Sequence, residues 1–426
     1  FSNLEFKSSK DKPQAMHMTL RKRNNYSSLL KDDATNEVDE ELEKFLKFAE
    51  KLRAFSVFGW KNIPIKNVVV LGLGGSIMGP KLATRALKSN GTTDKINLFF
   101  ISNPDCIEFN YILEKLNAKE TFFVVQSKSL KTPEILILKN HALEWMRIRG
   151  CPDSCLVKHF AVVTANLSKS KSEGYLSTYT FRIWDWVGGR FSVWSSMGLP
   201  LAVAIGSKKF LDFLSGAKEM DDHFKNEKFS TNLPVLSALL SIWNRNFLNH
   251  PSYVVVPYTS KLDLLVNYIQ QLDMESLGKN THTNGKPCKI NTGQIVWGGP
   301  GIQGQHAYFQ LLHQGKHIIP VDFYGLNETC QKEKDKNPNS SFVFSSLKAQ
   351  ADSLFFGDKF NNFEGKRPSN VYMLDKISPK ILGALLSMQE HRVFVMAAIW
   401  NINAFDQPGV ELGKRLLSKN LKGEFE

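Results

Sequence analysis

Four short runs of β-branched and aromatic residues, VVVLGL, INLFFIS, TFFVVQS and HFAVVTA, lie between Val68 and Ala165, and the stretches separating them carry helical spacing. Apolar runs of this length alternating with helices predict βαβ units, in which parallel strands are covered on both faces. The intervening helices are expected near Pro80–Leu87, Cys106–Leu116 and Pro133–Arg147. A second series follows: the run SYVVVPY, a helix over Lys261–Leu272, the run QIVWGG, a helix over Gln305–Gln314 and the run HIIPVDFYG. The expected fold class is α/β, built from two halves of one architecture. Five segments result: a helical extension over 1–64, a first α/β unit over 65–206, a charged bridge over 207–235, a second unit over 236–377, and terminal helices over 378–426. Leu42, Phe45, Leu46, Ala49 and Leu52 predict a packing helix over Val38–Phe55 in the extension. The polar run NETCQKEKDKNPNSS within 326–376 reads as an exposed loop.

Ligands of such sheets sit beyond the carboxyl ends of the strands. The first run ends in LGLGGSIMGPK, where Gly72, Gly74 and Gly75 admit close approach, Ser76 offers a hydroxyl and Pro80 suits a first helical turn. A helix start there would favour an anion, while a tight turn needing only positive φ explains the same glycines. A dinucleotide loop would need glycine at Ile77, and a triphosphate loop would need Gly-Lys-Ser/Thr where Gly79 is followed by Pro80 and Lys81. The third run delivers Ser127, Lys128, Ser129 and Thr132 directly before Pro133, either a phosphate cradle or a capped helix with a solvated lysine. Arg190 follows Gly188–Gly189 and can be held beside an oxyanion. Gln271, Asp273 and Glu275 close the helix over Lys261–Leu272; a carboxylate there suits a general base, or is a solvated acidic helix end. His306 opens the next helix, where a structural histidine is the plainer reading. Asp406, Gln407, Glu411 and Lys414 cluster near the C-terminus; Gln407 and Lys414 share a face if a helix starts near Phe405, and a charged surface helix explains them as well.

Composition removes other classes. Lysine and arginine exceed aspartate and glutamate, 54 against 41, but the +13 excess is scattered without a basic, aromatic-laced stripe, so no nucleic-acid partner is expected. No apolar run approaches the roughly 18 residues of a membrane helix, so no membrane partner is expected either. The N-terminal stretch FSNLEFKSSKDKPQ lacks the apolar core of a secretory signal, and the five cysteines are an odd number. Free thiols in a reducing cytoplasm are expected. Cys151, Cys155 and His159 have a metal-like spacing without an evident fourth ligand, and no metal is expected.

The segments WDWVGGRFSVWSS and AIWNINAFDQPGVELGK, supported by LGLGGSIMGP, SKSLKTPE, QLDMESLGK, GPGIQGQHAYFQLLHQG and GAKEMDDHF, resemble the phosphoglucose isomerase family from about Val68 onward. Residues 1–60 and 326–376 match loosely. The resemblance implies two flavodoxin-like, sugar-isomerase type doubly wound subdomains wrapped by N- and C-terminal helices. It also implies interconversion of glucose 6-phosphate and fructose 6-phosphate, in glycolysis and gluconeogenesis, with no metal or organic cofactor. Under it, Ser127, Lys128, Ser129 and Thr132 bind phosphate, with Gly75 and Ser76 lining the pocket. His306 and Lys414 assist ring opening, Glu275 moves a proton between C1 and C2 through a cis-enediolate, and Arg190 stabilises the intermediate. Gln271 and Gln407 hold hydroxyls, and His306 enters from the neighbouring subunit of a homodimer. Ile77, Pro133, Leu277 and Gly299 depart from the family pattern. An isomerase of another phosphosugar, or a non-catalytic sugar-phosphate sensor, are the alternatives, and the retained Glu275 argues against the sensor.

Overall fold

A computed structural model describes residues 15–21, 32–88, 96–327 and 339–421. Strands β1 (Asn67–Gly72), β2 (Asn97–Ile101), β3 (Thr121–Gln126), β4 (Phe160–Thr164) and β5 (Thr180–Arg182) form a parallel sheet in the order β2-β1-β3-β4-β5. That order is the doubly wound, flavodoxin-like one, and its switch point lies between β1 and β3. Register pairs Leu71 with Val125 and Gly72 with Gln126, so the glycine turn and the Ser127 loop leave the sheet side by side. A second parallel sheet has the order β7-β6-β8-β9, with β6 at Ser252–Pro257, β7 at Ile295–Gly298, β8 at Val321–Leu326 and β9 at Ser369–Leu374.

Why these runs are apolar throughout follows from where their side chains go. Successive strand residues point to opposite faces. Val68, Val70, Phe122, Val124, Ala161 and Val163 feed the main core, while Val69, Leu71, Phe123, Val125, Phe160 and Val162 feed a second core under the helix Pro133–Ile148. Both faces are dry, so the strands do not alternate with polar residues.

The charged bridge is a 20-residue helix, Ser207–Asn226, whose Phe210, Phe213, Leu214, Ala217 and Phe224 are buried. It packs along the helix Pro379–Trp400, which is itself buried on most of its circumference. The N-terminal helix, Asp32–Arg53, rests on the apolar helix Leu199–Ile205.

Several boundaries differ from the sequence reading. The helix expected near Pro80 starts at Gly75, because Gly74 turns the chain out of the strand at φ 51°, so Pro80 lies inside the helix rather than in its first turn. The helix expected over Lys261–Leu272 is a turn at Ser260–Leu262 followed by a helix Leu265–Leu277, which carries Gln271 and Glu275 within it. The helix expected over Gln305–Gln314 is two pieces, Gly301–Gln305 and Phe309–Gln314, and His306 closes the first instead of opening a single long one. The last helix begins at Pro408, so the start near Phe405 on which a shared face of Gln407 and Lys414 depended is not met, and Gln407 lies just before the helix. Most of the NETCQKEKDKNPNSS run, read as a loop, lies outside the described residues; a helix, Ser340–Phe356, begins at its end and β9 follows, elements that the sequence reading did not name.

Candidate active site

Three segments meet beyond the strand ends: the glycine turn after β1, the Gly188–Arg190 turn after β5, and the helix Leu265–Leu277 of the second half. Gly75 is where the first two touch. A side chain there would place its Cβ 2.3 Å from the Arg190 nitrogen and 2.3 Å from the Gly189 carbonyl carbon, so only glycine lets the turns close. A Cβ on Gly74 would lie 3.1 Å from Gln271 Nε2, which brings the third segment in.

Arg190 is 5% exposed, and every donor is engaged toward one wall. Its Nε donates to Ser276 Oγ at 2.6 Å, one terminal nitrogen donates to Gln407 Oε1 at 3.1 Å, and the other to the carbonyls of Ala404 and Asp406. The guanidinium stands 3.3 Å from Glu275 Oε1, and Gln271 Nε2 donates to the other carboxylate oxygen at 2.9 Å. Four sequence-predicted residues, Arg190, Gln271, Glu275 and Gln407, are thus brought into one connected cluster. Burial lowers the arginine pKa from its ordinary value while Glu275 and Asp406 hold it up, which marks a cation kept in a largely dry site. Asp273 is not part of the cluster. It faces the opposite side of the helix, where its carboxylate is held by Arg392 at 2.5 Å and Tyr253 at 2.5 Å.

The Ser127–Thr132 loop is wound by its own hydroxyls: Leu130 N–H donates to Ser127 Oγ at 3.1 Å and Lys131 N–H to Ser129 Oγ at 3.2 Å. Thr132 stands before the helix Pro133–Ile148 but makes no side-chain cap, so its hydroxyl is not consumed as a helix stop. Lys128 donates to the carbonyls of Asp185 at 2.8 Å and Val187 at 3.2 Å, and burial lowers its pKa from the ordinary lysine value. The loop is thereby tied to the strand end that carries Gly188, Gly189 and Arg190. Ser76, in the first turn of its helix, is half-buried, and Ile77 beside it is 3% exposed.

One expected residue is not brought to this cluster. His306 is exposed on this chain and hydrogen-bonded to none of the site residues. Lys414 falls in the helix Pro408–Leu421, and its side chain lies outside the described residues. His159 is occupied elsewhere: one ring nitrogen meets the Thr121 carbonyl at 2.7 Å and the other accepts the Trp60 N–H at 2.6 Å. No cluster of metal-binding side chains occurs among the described residues, and no described helix is long and apolar enough to cross a membrane.

One group at the site escaped the sequence reading. Lys279, four residues past Glu275, folds its ammonium back to the carbonyls of Glu275 and Ser276 at 2.9 Å each, and across to Asn403 at 2.9 Å and Asp406 at 3.0 Å. The available signal was Gly278-Lys279 directly after the helix, a glycine stop followed by a cation able to bind terminal carbonyls.

Two doubly wound parallel sheets, with a buried arginine of the first half paired to a half-buried glutamate of the second, define an α/β protein of the sugar-isomerase type. Comparison with known proteins narrows the class: a family model described as phosphoglucose isomerase matches residues 6–425, and the chain belongs to that family. The match reaches well upstream of Val68, into the segment that resembled the family only loosely. A glucose-6-phosphate isomerase from Polaromonas naphthalenivorans is 42% identical over 388 residues, covering 90% of this chain and 72% of the relative. One from Campylobacter jejuni subsp. doylei is 38% identical over 435 residues, covering 96% and 79%. A crystal structure of a glucose-6-phosphate isomerase from Chlamydia trachomatis superposes with a TM-score of 0.84 at 32% identity, covering 98% of this chain and 80% of that one.

Proposed function

We propose that this chain interconverts glucose 6-phosphate and fructose 6-phosphate. The observation that carries the reading is the Glu275 carboxylate, fixed between Arg190 at 3.3 Å and Gln271 at 2.9 Å at the junction of the two sheets. A carboxylate can take a proton from a weakly acidic C–H only if the negative charge that develops on the neighbouring oxygens is stabilised. Arg190 supplies a fixed cation for that charge, and its partners hold it still, so little reorganisation is needed during the reaction. Glu275 removes the proton from C1 of the open-chain ketose, the electron pair forms the cis-enediolate, and the same carboxylate returns a proton at C2 to give the aldose. Gln271 and Gln407 bind substrate hydroxyls.

The phosphate is held by the Ser127–Thr132 loop, with Gly75 and Ser76 as the adjoining wall. A phosphate anchored there fixes the reacting carbons relative to Glu275. Its arrival gives Lys128 an anionic partner in place of two carbonyls. Lys414 and His306 move the proton to or from the ring oxygen. His306 does so from a second copy of the chain, which fits its exposed position here. An apolar stripe supports such a dimer: Leu233, Leu236, Leu240, Trp243 and Phe247 follow helical spacing and are all exposed.

The test is turnover of the purified protein with fructose 6-phosphate, read by coupled NADP reduction through a glucose-6-phosphate dehydrogenase. Steady production of glucose 6-phosphate is the expected result. Turnover of another ketose phosphate alone, or binding of fructose 6-phosphate without turnover, would replace this reading.

A further inference from the structure

We propose that Lys279 is a positioning residue for the isomerisation: its ammonium clamps the end of the helix that carries Glu275 to the 403–407 loop that holds Arg190. The proposal rests on the isomerase reading above.

The clamp is visible in the bonding pattern. A helix ends with carbonyls that have no intrahelical partner. In the helix Leu265–Leu277, two carbonyls of the last turn, those of Glu275 and Ser276, accept from Lys279 at 2.9 Å. The same ammonium takes the carbonyls of Asn403 and Asp406 and stands 3.3 Å from the Asp406 carboxylate. The loop so fastened is the one Arg190 uses: Ala404 and Asp406 give it their carbonyls, and Gln407 gives it its side-chain oxygen. The Asp406 carbonyl is shared, with Arg190 at 3.1 Å and Lys279 at 3.0 Å. Base, stabilising cation and hydroxyl-binding glutamine therefore depend on one nitrogen. Thr292 secures the clamp from behind by donating to the Lys279 carbonyl.

An ammonium suits this task because its donors spread tetrahedrally over converging carbonyls, whereas a guanidinium is a planar fork. Its surroundings also make it titratable. The charged groups facing it are Arg190 from the turn after β5, Glu275 from its own helix and Asp406 from the loop. Burial first, and then repulsion from Arg190, outweigh the two carboxylates and bring its pKa down to about 8. Below that value the ammonium is charged and holds the clamp. Above it the amine has lost a donor and its charge, and both Asp406 and the helix end are released.

The experiment compares native protein with Lys279→Met and Lys279→Arg, using fructose 6-phosphate and the pH profile of kcat/KM, which reports groups of the free enzyme. Native kcat/KM is expected to fall above about pH 8, following the lowered lysine pKa. Lys279→Arg, which stays charged, is expected to lose at least about tenfold in kcat, with KM changed less than about threefold. Its alkaline limb should move up by more than about one pH unit. Lys279→Met should lose more activity and show no limb at that pH; circular dichroism separates this from misfolding, and Lys279→Arg carries the test if Met does not fold. An unchanged alkaline limb in Lys279→Arg, or kcat within about twofold of native, would overturn the proposal while the isomerase reading stands. A native protein without isomerase activity would overturn both.

Discussion

Gly75 shows how little room single residues leave at this site. Its absent side chain would collide with backbone atoms of Gly189 and Arg190, and backbone cannot swing aside as a flexible side chain does. Gly75→Ala is expected to push the Arg190 turn out of place, lowering kcat at least about tenfold while costing about 1–3 kcal/mol in a urea melt. Native kcat in that variant would show that the turns need not touch. The roles of such residues were unevenly legible. Arg190, Gln271, Glu275 and Gln407 could be named from the sequence because each sits in a stretch that resembles the phosphoglucose isomerase family, and the structure does draw these four together. Lys279 was missed because a lysine after a helix is ordinarily solvated, and nothing local shows that another segment, over a hundred residues on, brings carbonyls to it.

Elements carry a different constraint. The helices Ser207–Asn226 and Pro379–Trp400 approach closely enough that a Cβ on Gly216 would lie 1.8 Å from the Lys380 carbonyl oxygen, and one on Gly383 would lie 2.0 Å from that of Phe213. Gly216→Ala should therefore force the pair apart and cost about 1–3 kcal/mol, read as a lower urea midpoint. The strands were legible because two dry faces require unbroken apolar runs. The helix Ser340–Phe356 and strand β9 were not. In that helix only Leu347 and Leu354 are buried whereas Phe342, Phe355 and Phe356 are exposed, so the apolar pattern does not mark an inward face. The strand is an edge strand whose residues are half-buried or exposed, and it opens on the polar Ser369 and Asn370, leaving only the four apolar residues Val371–Leu374 to mark it.

Across the whole molecule, a buried ionic knot ties the N-terminal segment to the central helix pair. Arg21 lies between Asp221, at 2.5 Å, and Glu390, with His391 at 2.7 Å from Asp221 and Trp194 donating to Glu390 at 2.9 Å. Burial alone would raise the Asp221 pKa, but Arg21, then His391 and the Ser387 hydroxyl, pull it down to about 2. Burial lowers Arg21 from its ordinary value, yet a guanidinium stays charged, and its role is to hold both carboxylates. A depressed carboxyl pKa gives stability that is complete above the ordinary value of 3.8 and is lost as pH falls toward about 2, here about 2 kcal/mol. His17, kept neutral first by burial and then by Arg21, adds to the acid loss below its ordinary 6.5. Arg21→Leu strands two buried carboxylates and is expected to cost about 3–5 kcal/mol at neutral pH, measured by denaturant unfolding. A loss below about 1 kcal/mol would mean the knot is solvated. The second whole-molecule expectation concerns assembly. If His306 serves the neighbouring copy, mixing inactive Glu275→Gln and inactive His306→Ala chains after unfolding and refolding them together should restore activity, because each mixed dimer has one intact site; no recovery would place His306 outside the partner's site.

The central claim is that the Glu275 carboxylate is the group that moves the proton, and its removal tests this most directly. Glu275→Gln keeps the size of the side chain and its capacity to accept from Gln271 but takes away the base. Its kcat for fructose 6-phosphate should fall by about 10²–10⁴-fold relative to native protein, with fructose 6-phosphate still bound. Turnover by Glu275→Gln at the native rate would contradict the account.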